Sequence, residues 1–156
     1  MKKNTLIYSL ALSFLALSAF SQAQAGDVTV TMLNRGKEGP NVFEPNYVEI
    51  QPGDTVHFVA TQRGHNAASI KEMSPEGFKG FLGKIDHNIS VKFDIPGYYG
   101  VKCTPHYTMG KVMIIKVGDG VEMSEQFRNF GVNAPGMAGK RFKQYIERID
   151  KANSSS

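Results

Sequence analysis

The sequence predicts an all-β domain, an antiparallel sandwich or barrel, with two helices added at its C-terminal end. Three observations carry that prediction. Apolar and polar residues alternate with a period of two in several short runs, as in "DVTVTML", which is the mark of a strand with one buried face. Turn-forming residues punctuate the chain between those runs. After Gly118-Asp119-Gly120 the apolar period lengthens to that of a helix.

In chain order, residues 1–25 read as a secretory signal peptide. Lys2 and Lys3 form a basic start, Leu6 to Phe20 an apolar run, and Ala23-Gln24-Ala25 a small-residue cleavage site. The run holds Ser and Tyr and is shorter than the roughly 20 apolar residues of a spanning helix, which argues against a membrane anchor. The mature chain then starts at Gly26. In "DVTVTML", Val28, Val30 and Met32 alternate with Thr29, Thr31 and Leu33. Further strands are expected at "YVEI", "DTVHFVA", "ISVKFDI", "YYGVKC" and "KVMIIKV". Between them fall the turns Asn34-Arg35-Gly36, Gly39-Pro40, Gln51-Pro52-Gly53-Asp54, Arg63-Gly64, Ser74-Pro75-Glu76-Gly77 and Ile95-Pro96-Gly97. Met123, Phe127 and Phe130 recur at helical spacing, as do Phe142, Tyr145, Ile146 and Ile149 beyond "NAPG". The organisation is thus a signal peptide over 1–25, a sandwich over 26–120, a helical appendage over 121–152 and a disordered tail over 153–156.

Removal of the signal takes two lysines and no acid, leaving a net charge of +2. That is too little for a nucleic-acid binder. The chain has one cysteine, Cys103, and in an oxidising compartment it has no partner within the chain for a disulfide. It is an inert buried thiol, half of an intermolecular bridge, a nucleophile or a metal ligand.

Cys103 and His106, spaced C-x-x-H, can reach one metal ion if Thr104-Pro105 turns the chain between them. The loop lies between two strands, so both donors sit at one end of the sandwich. A third donor comes from elsewhere. His57 lies within the run "DTVHFVA" and reads as a rim side chain, and His87 lies in the polar turn "IDHNIS". His65 follows "TQRG" at a strand-to-loop junction, where Gly64 lets the backbone come close. His65, Cys103 and His106 make two imidazoles and a thiolate, the trigonal set of an electron-transfer copper site with a weak axial thioether nearby. Zinc accepts the same donors.

The stretches "VTMLNRGKEGPNVFEP", "QPGDTVHF", "RGHNAASIKEMSPEG" and "YYGVKCTPHYTMG", with the two helices, resemble the pseudoazurins, small blue copper proteins of the cupredoxin family. The resemblance covers nearly all of Asp27 to Lys151. It implies an all-β Greek-key cupredoxin sandwich of about eight strands, a periplasmic monomer, and electron shuttling to partners such as a copper nitrite reductase or c-type cytochromes, commonly in denitrification. It places the copper ligands on His65, Cys103 and His106, with the Asn66 backbone amide steadying the cysteine sulfur and the Gly64 carbonyl as a remote axial neighbour. It also suggests a docking face around Pro105 and Tyr107, ringed by Arg35, Arg63, Lys71 and Lys102.

The fourth ligand departs from the pattern. The family's axial methionine lies eight residues after the cysteine, where this chain has Lys111. Met109 matches instead the shorter C-x-x-H-x-x-M loop of amicyanin, a related cupredoxin. Strand alternation puts Lys111 on the face of Met113, Ile115 and Val117, and Lys116 marks the other face as the wet one. A bulge at Gly110 would turn Lys111 outward and let Met109 reach the copper, so Met109 is the expected axial ligand. Two other functions compete with the electron carrier. A periplasmic copper storage or delivery protein is weakened by dispersed methionines at 32, 73, 109, 113, 123 and 137. An enzyme built on Cys103 and His106 lacks an orienting third group and an oxyanion-hole signal.

Overall fold

The computed structural model describes residues 26–155, so the expected signal peptide and Ser156 lie outside the described residues. Eight strands form two four-stranded sheets. The first sheet holds β1 (Asp27–Gly36), β2 (Gly39–Glu44), β4 (Asp54–Val59) and β6 (Ile89–Phe93), in the order β2-β1-β4-β6. The second holds β3 (Tyr47–Ile50), β5 (Ala68–Ser69), β7 (Gly97–Lys102) and β8 (Val112–Val117), in the order β3-β8-β7-β5.

The pairing is not purely antiparallel, as the turn pattern suggested. β1 runs parallel to β4, and β3 parallel to β8. The chain crosses between sheets after each of β2, β3, β4, β5 and β6, so strands distant in sequence enter each sheet in the same direction. Six of the eight strands were readable as alternating runs. β2 was hidden behind the turn signal Gly39-Pro40, and β5 has only two residues.

Between the sheets lies a core of Val30, Met32, Phe43, Val56, Phe58, Phe93, Tyr99, Val101, Met113 and Ile115, with Cys103 at its edge, all buried. The alternation of β1 is kept, since Val30 and Met32 are fully buried while Thr29 is exposed and Thr31 and Leu33 are half-buried. Phe78, Phe93 and Tyr99 meet edge to face or stacked within this core, the arrangements aromatic rings prefer.

The two helices pack on the sandwich. α1 (Glu125–Val132) starts at Ser124, whose hydroxyl accepts from the Phe127 N–H, and α2 (Met137–Asn153) follows. They cover the outer face of the second sheet. Ile70, Met73, Tyr98, Val112 and Ile114 are packed there against Phe127, Phe142, Tyr145, Ile146 and Ile149 as a second core. β8 is consequently buried on both faces, and Lys116 pairs at 3.0 Å with Glu49, its register partner on β3. The tail is shorter than expected, because α2 includes Asn153 and the Ser154 and Ser155 N–H groups bond back to Asp150 and Ala152. No helix among the described residues is long and apolar enough to cross a membrane.

Phe142 is fully buried in the second core. Phe142→Ala is expected to cost about 3–5 kcal/mol in denaturant unfolding, whereas a loss below about 1 kcal/mol would make the helices a dispensable addition.

Candidate metal centre

Two loops at one end of the sandwich supply the donors. The first follows β4 and carries Gly64, His65 and Asn66. Gly64 has φ +87°, a conformation open to glycine, and its N–H donates to Asp86 Oδ1 at 2.5 Å. The Asp86 N–H donates in turn to the His65 carbonyl at 2.8 Å. The second loop joins β7 to β8. The Cys103 N–H donates to the Lys111 carbonyl at 3.0 Å and closes the loop, and the His106 carbonyl accepts from Met109 and Lys111 at 3.1 Å each. The turn over Thr104-Pro105 forms as expected, with the His106 N–H on the Cys103 carbonyl at 3.2 Å.

The two loops are fastened to each other by one side chain. Asn66 Oδ1 accepts from the Thr104 N–H at 2.7 Å, while its Nδ2 donates to the Gly83 carbonyl at 2.9 Å and to Thr104 Oγ1 at 3.1 Å. Helix α2 fastens the ligand loop from the other side. Arg141 donates to the carbonyls of Pro40, Asn41 and Gly110 at 2.6–2.8 Å, and the Met137 N–H donates to the Thr108 carbonyl at 2.8 Å. Gly110, at φ +88°, leaves the room that Arg141 and Met137 occupy, since a Cβ there would stand 3.0–3.2 Å from their atoms.

The donor atoms of His65, Cys103 and His106 converge. His65 Nδ1 lies 3.2 Å from His106 Nδ1, and Cys103 Sγ lies 3.5 Å from His106 Nδ1 and 3.9 Å from His65 Nδ1. A triangle with those edges has its centre about 2.1 Å from each corner, close to metal–nitrogen bonds of about 2.0 Å and metal–sulfur bonds of about 2.3 Å. The donors therefore fit one ion. His65 Nε2 is bonded to Asn34 Oδ1 at 2.7 Å. A ring nitrogen facing an amide oxygen carries the proton, which leaves the Nδ1 lone pair for a metal. His65 and Cys103 are fully buried.

Electrostatics keep both rings neutral. The His65 imidazole is lowered to about 4, by burial first and then by the charges of Lys111 and His106, with Asp86 opposing. His106 is also held below the ordinary imidazole value, by burial and then by Lys111. Neutral imidazoles are the form that binds metal.

Comparison with known proteins gives the family. Residues 30–118 match the model of copper-binding proteins of the plastocyanin/azurin family. The chain is 46% identical over 112 residues to a pseudoazurin of Paracoccus pantotrophus, covering 72% of this chain and 76% of that one. The chain belongs to the pseudoazurin family. The crystal structure of the Methylobacterium extorquens AM1 pseudoazurin superposes with a TM-score of 0.73 at 38% identity, over 79% of this chain and 98% of that one. The pseudoazurin of Hyphomicrobium denitrificans gives 0.68 at 34% identity, over 78% and 97%. The fold is accordingly the cupredoxin sandwich, the cofactor is copper, and the chain is a blue copper electron carrier rather than an enzyme.

Within this pseudoazurin frame the remaining candidates fall as follows. His57 bonds to Ser90 Oγ at 2.7 Å and His87 to the Ile85 carbonyl at 2.8 Å, and neither joins the cluster. Arg35, Arg63, Lys71 and Pro105 are exposed, and Tyr107 is half-buried under the Lys102 amine, which sits 4.9 Å over its ring.

The expected outward turn of Lys111 is corrected. Lys111 is fully buried, and its Nζ donates to the Leu33 carbonyl at 2.8 Å. Met109, expected at the copper, is 55% exposed with its sulfur accepting from Asn41 Nδ2 at 3.6 Å. The reason is that Gly110 takes its positive φ without breaking the alternation, so Lys111 stays on the inner face with Met113. Lys116 misled the reading, because the face it shares with Val112 and Ile114 is covered by helices instead of water.

Sequence reasoning missed Asn34 and Arg141. Asn34 lay in a stretch read only as a turn. Arg141 carried a usable signal, since it falls on the same helical stripe as Ala138, Tyr145 and Ile149, all buried.

A lowered imidazole pKa has a definite sign. The unfolded chain takes up a proton at His65 near pH 6.5 and the folded chain only near 4, so metal-free stability falls as pH drops through that interval. In proton NMR of the metal-free protein, the His65 ring is expected to titrate at about 4; a midpoint at the ordinary imidazole value would contradict the buried, neutral ring.

Proposed function

We propose that this chain works in the periplasm as a monomeric carrier of single electrons, with His65, Cys103 and His106 as the strong copper ligands, delivering to or accepting from redox proteins such as a copper nitrite reductase or c-type cytochromes, with denitrification as the setting. The observation that carries the reading is the buried triangle of Nδ1, Nδ1 and Sγ atoms at 3.2–3.9 Å. The bound copper would supply a one-electron Cu(I)/Cu(II) couple, and a thiolate with two imidazoles suits both states. Asn34 fixes the His65 ring and Asn66 fixes the spacing of the two loops, so the donors need not move when the charge changes. Burial of Cys103 keeps water and oxidants from the sulfur.

His106 is the half-buried ligand and the natural route for the electron. The loops tied to the site and the start of α2 expose apolar side chains: Leu82 at 72%, Ile85 at 50%, Met109 at 55% and, on the helix, Met137 at 45%. Small apolar contacts framed by charge are typical of short-lived redox encounters. Arg63 and Lys84 lie on those loops and Lys102 ends β7 beside the ligand loop, with Arg35 and Lys71 as further exposed cations, so the fitting partner is acidic. A storage or delivery role finds little support, because Met32, Met73 and Met113 are fully buried at separate places.

Two outcomes follow. The copper-loaded protein is expected to be intensely blue and to lose that band in Cys103→Ala; an unchanged spectrum in the variant would place the copper elsewhere. Association with an acidic redox partner is expected to slow as salt is added, and Lys102→Glu to slow it further while leaving the potential nearly unchanged. A rate indifferent to ionic strength would remove the basic ring from the docking face.

A further inference from the structure

A trigonal site of two imidazoles and a thiolate ordinarily has a weak fourth donor on its axis. This chain offers two side chains near enough to be considered, Met109 and Lys111, and both are already engaged. The Met109 sulfur accepts from Asn41 Nδ2, and its side chain stands in solvent. Lys111 Nζ donates to the Leu33 carbonyl at 2.8 Å and lies 5.6 Å over the face of Phe43.

From this arrangement, and resting on the copper reading above, we infer that the copper takes no axial side chain, and that Lys111 serves as a fixed, non-coordinating cation on the inner wall of the site.

Burial works against the Nζ charge and pushes the amine down to about 8, and two contacts oppose that effect. A carbonyl oxygen sits at hydrogen-bond distance and an aromatic face lies within cation–π range. The lysine has little freedom to leave. Its backbone N–H is bonded to the His106 carbonyl and its carbonyl to the Cys103 N–H, so two metal ligands clamp its main chain. Leu33 is equally placed, since its neighbour Asn34 holds the His65 ring. The Lys111 cation is thus locked into the same hydrogen-bonded frame as the ligands. A positive charge fixed beside the metal disfavours the more highly charged Cu(II), and absence of an axial donor removes a further stabiliser of that state. Lys111 is a positioning residue that acts on the potential through charge.

The test compares copper-loaded wild type, Met109→Leu, Lys111→Leu and Lys111→Met by absorption, electron paramagnetic resonance and potentiometry. An intense thiolate band in wild type is required first; its absence sinks the electron-carrier reading and leaves nothing for Lys111 to tune. With the band present, Met109→Leu is expected to match wild type in every readout. Lys111→Leu should keep the wild-type band and lower the Cu(I) to Cu(II) affinity ratio about tenfold, a fall of ~59 mV for a one-electron couple. Lys111→Met brings in a thioether and should change the band as well as lower the ratio.

A change of band in Met109→Leu would make Met109 the axial ligand. A changed band with a raised ratio in Lys111→Leu would make the amine a ligand, and an unchanged ratio would deny it any role through charge; each overturns the inference. Replacing a buried ion by an apolar side chain of similar size seldom prevents folding. Should the variant not fold, the crystal structure of the copper-loaded wild type decides, with Nζ on the Leu33 oxygen as expected or on the metal against it.

Discussion

The structure depends on holding three donor atoms together at the spacing one metal ion needs. His65 lies 38 residues from Cys103, and the two Nδ1 atoms stand 3.2 Å apart beside a buried sulfur. A hydrogen bond among them is worth only about 0.5–1.5 kcal/mol net, so the rest of the chain must impose the arrangement. Asn66 does most of that, because a single amide joins the two loops with two hydrogen bonds to Thr104 and is held by a third to the Gly83 carbonyl. The Cys103 N–H to Lys111 carbonyl bond sets the loop mouth at the width of the β7–β8 ladder. A site prepared in this way meets both copper oxidation states with one geometry, which is what single-electron transfer needs.

The helices bear on this frame directly. By covering the second sheet they bury β8 on both faces and bring Arg141 to three carbonyls, one of them in the ligand loop. Buried carbonyls left without donors cost roughly 1–3 kcal/mol each, so the guanidinium ties the hairpin of β1 and β2, the ligand loop and α2 into one unit. The same end of the molecule leaves Met109 and Met137 exposed. Arg141, which stabilises the loop from beneath, and the exposed Met137 are therefore neighbours in sequence.

Much of this was legible in the sequence, and the limits have physical causes. Alternation in β1 and β4 and the helical stripe of Phe142, Tyr145 and Ile149 made the architecture readable, because burial on one face writes itself into period and spacing. His65, Cys103 and His106 were readable because so few side chains offer a thiolate or an imidazole. Lys111 was misread because the outer face of β8 was assumed wet, and only the packing of α1 and α2 shows otherwise. Asn34, Asn66 and Arg141 act through hydrogen bonds to groups 17 to 101 residues away; the helical stripe marks Arg141 as buried, but no local pattern names the partners of any of the three.

The central claim is that the chain, and not the metal, sets the geometry of the site. Crystal structures of the metal-free, Cu(I) and Cu(II) forms grown at one pH test it most directly. The account predicts that the separations of 3.2, 3.5 and 3.9 Å among His65 Nδ1, His106 Nδ1 and Cys103 Sγ persist in all three, with the Asn66 bonds to Thr104 intact. A metal-free form in which His65 or the Cys103 loop swings out of contact, and returns only on copper binding, would contradict it.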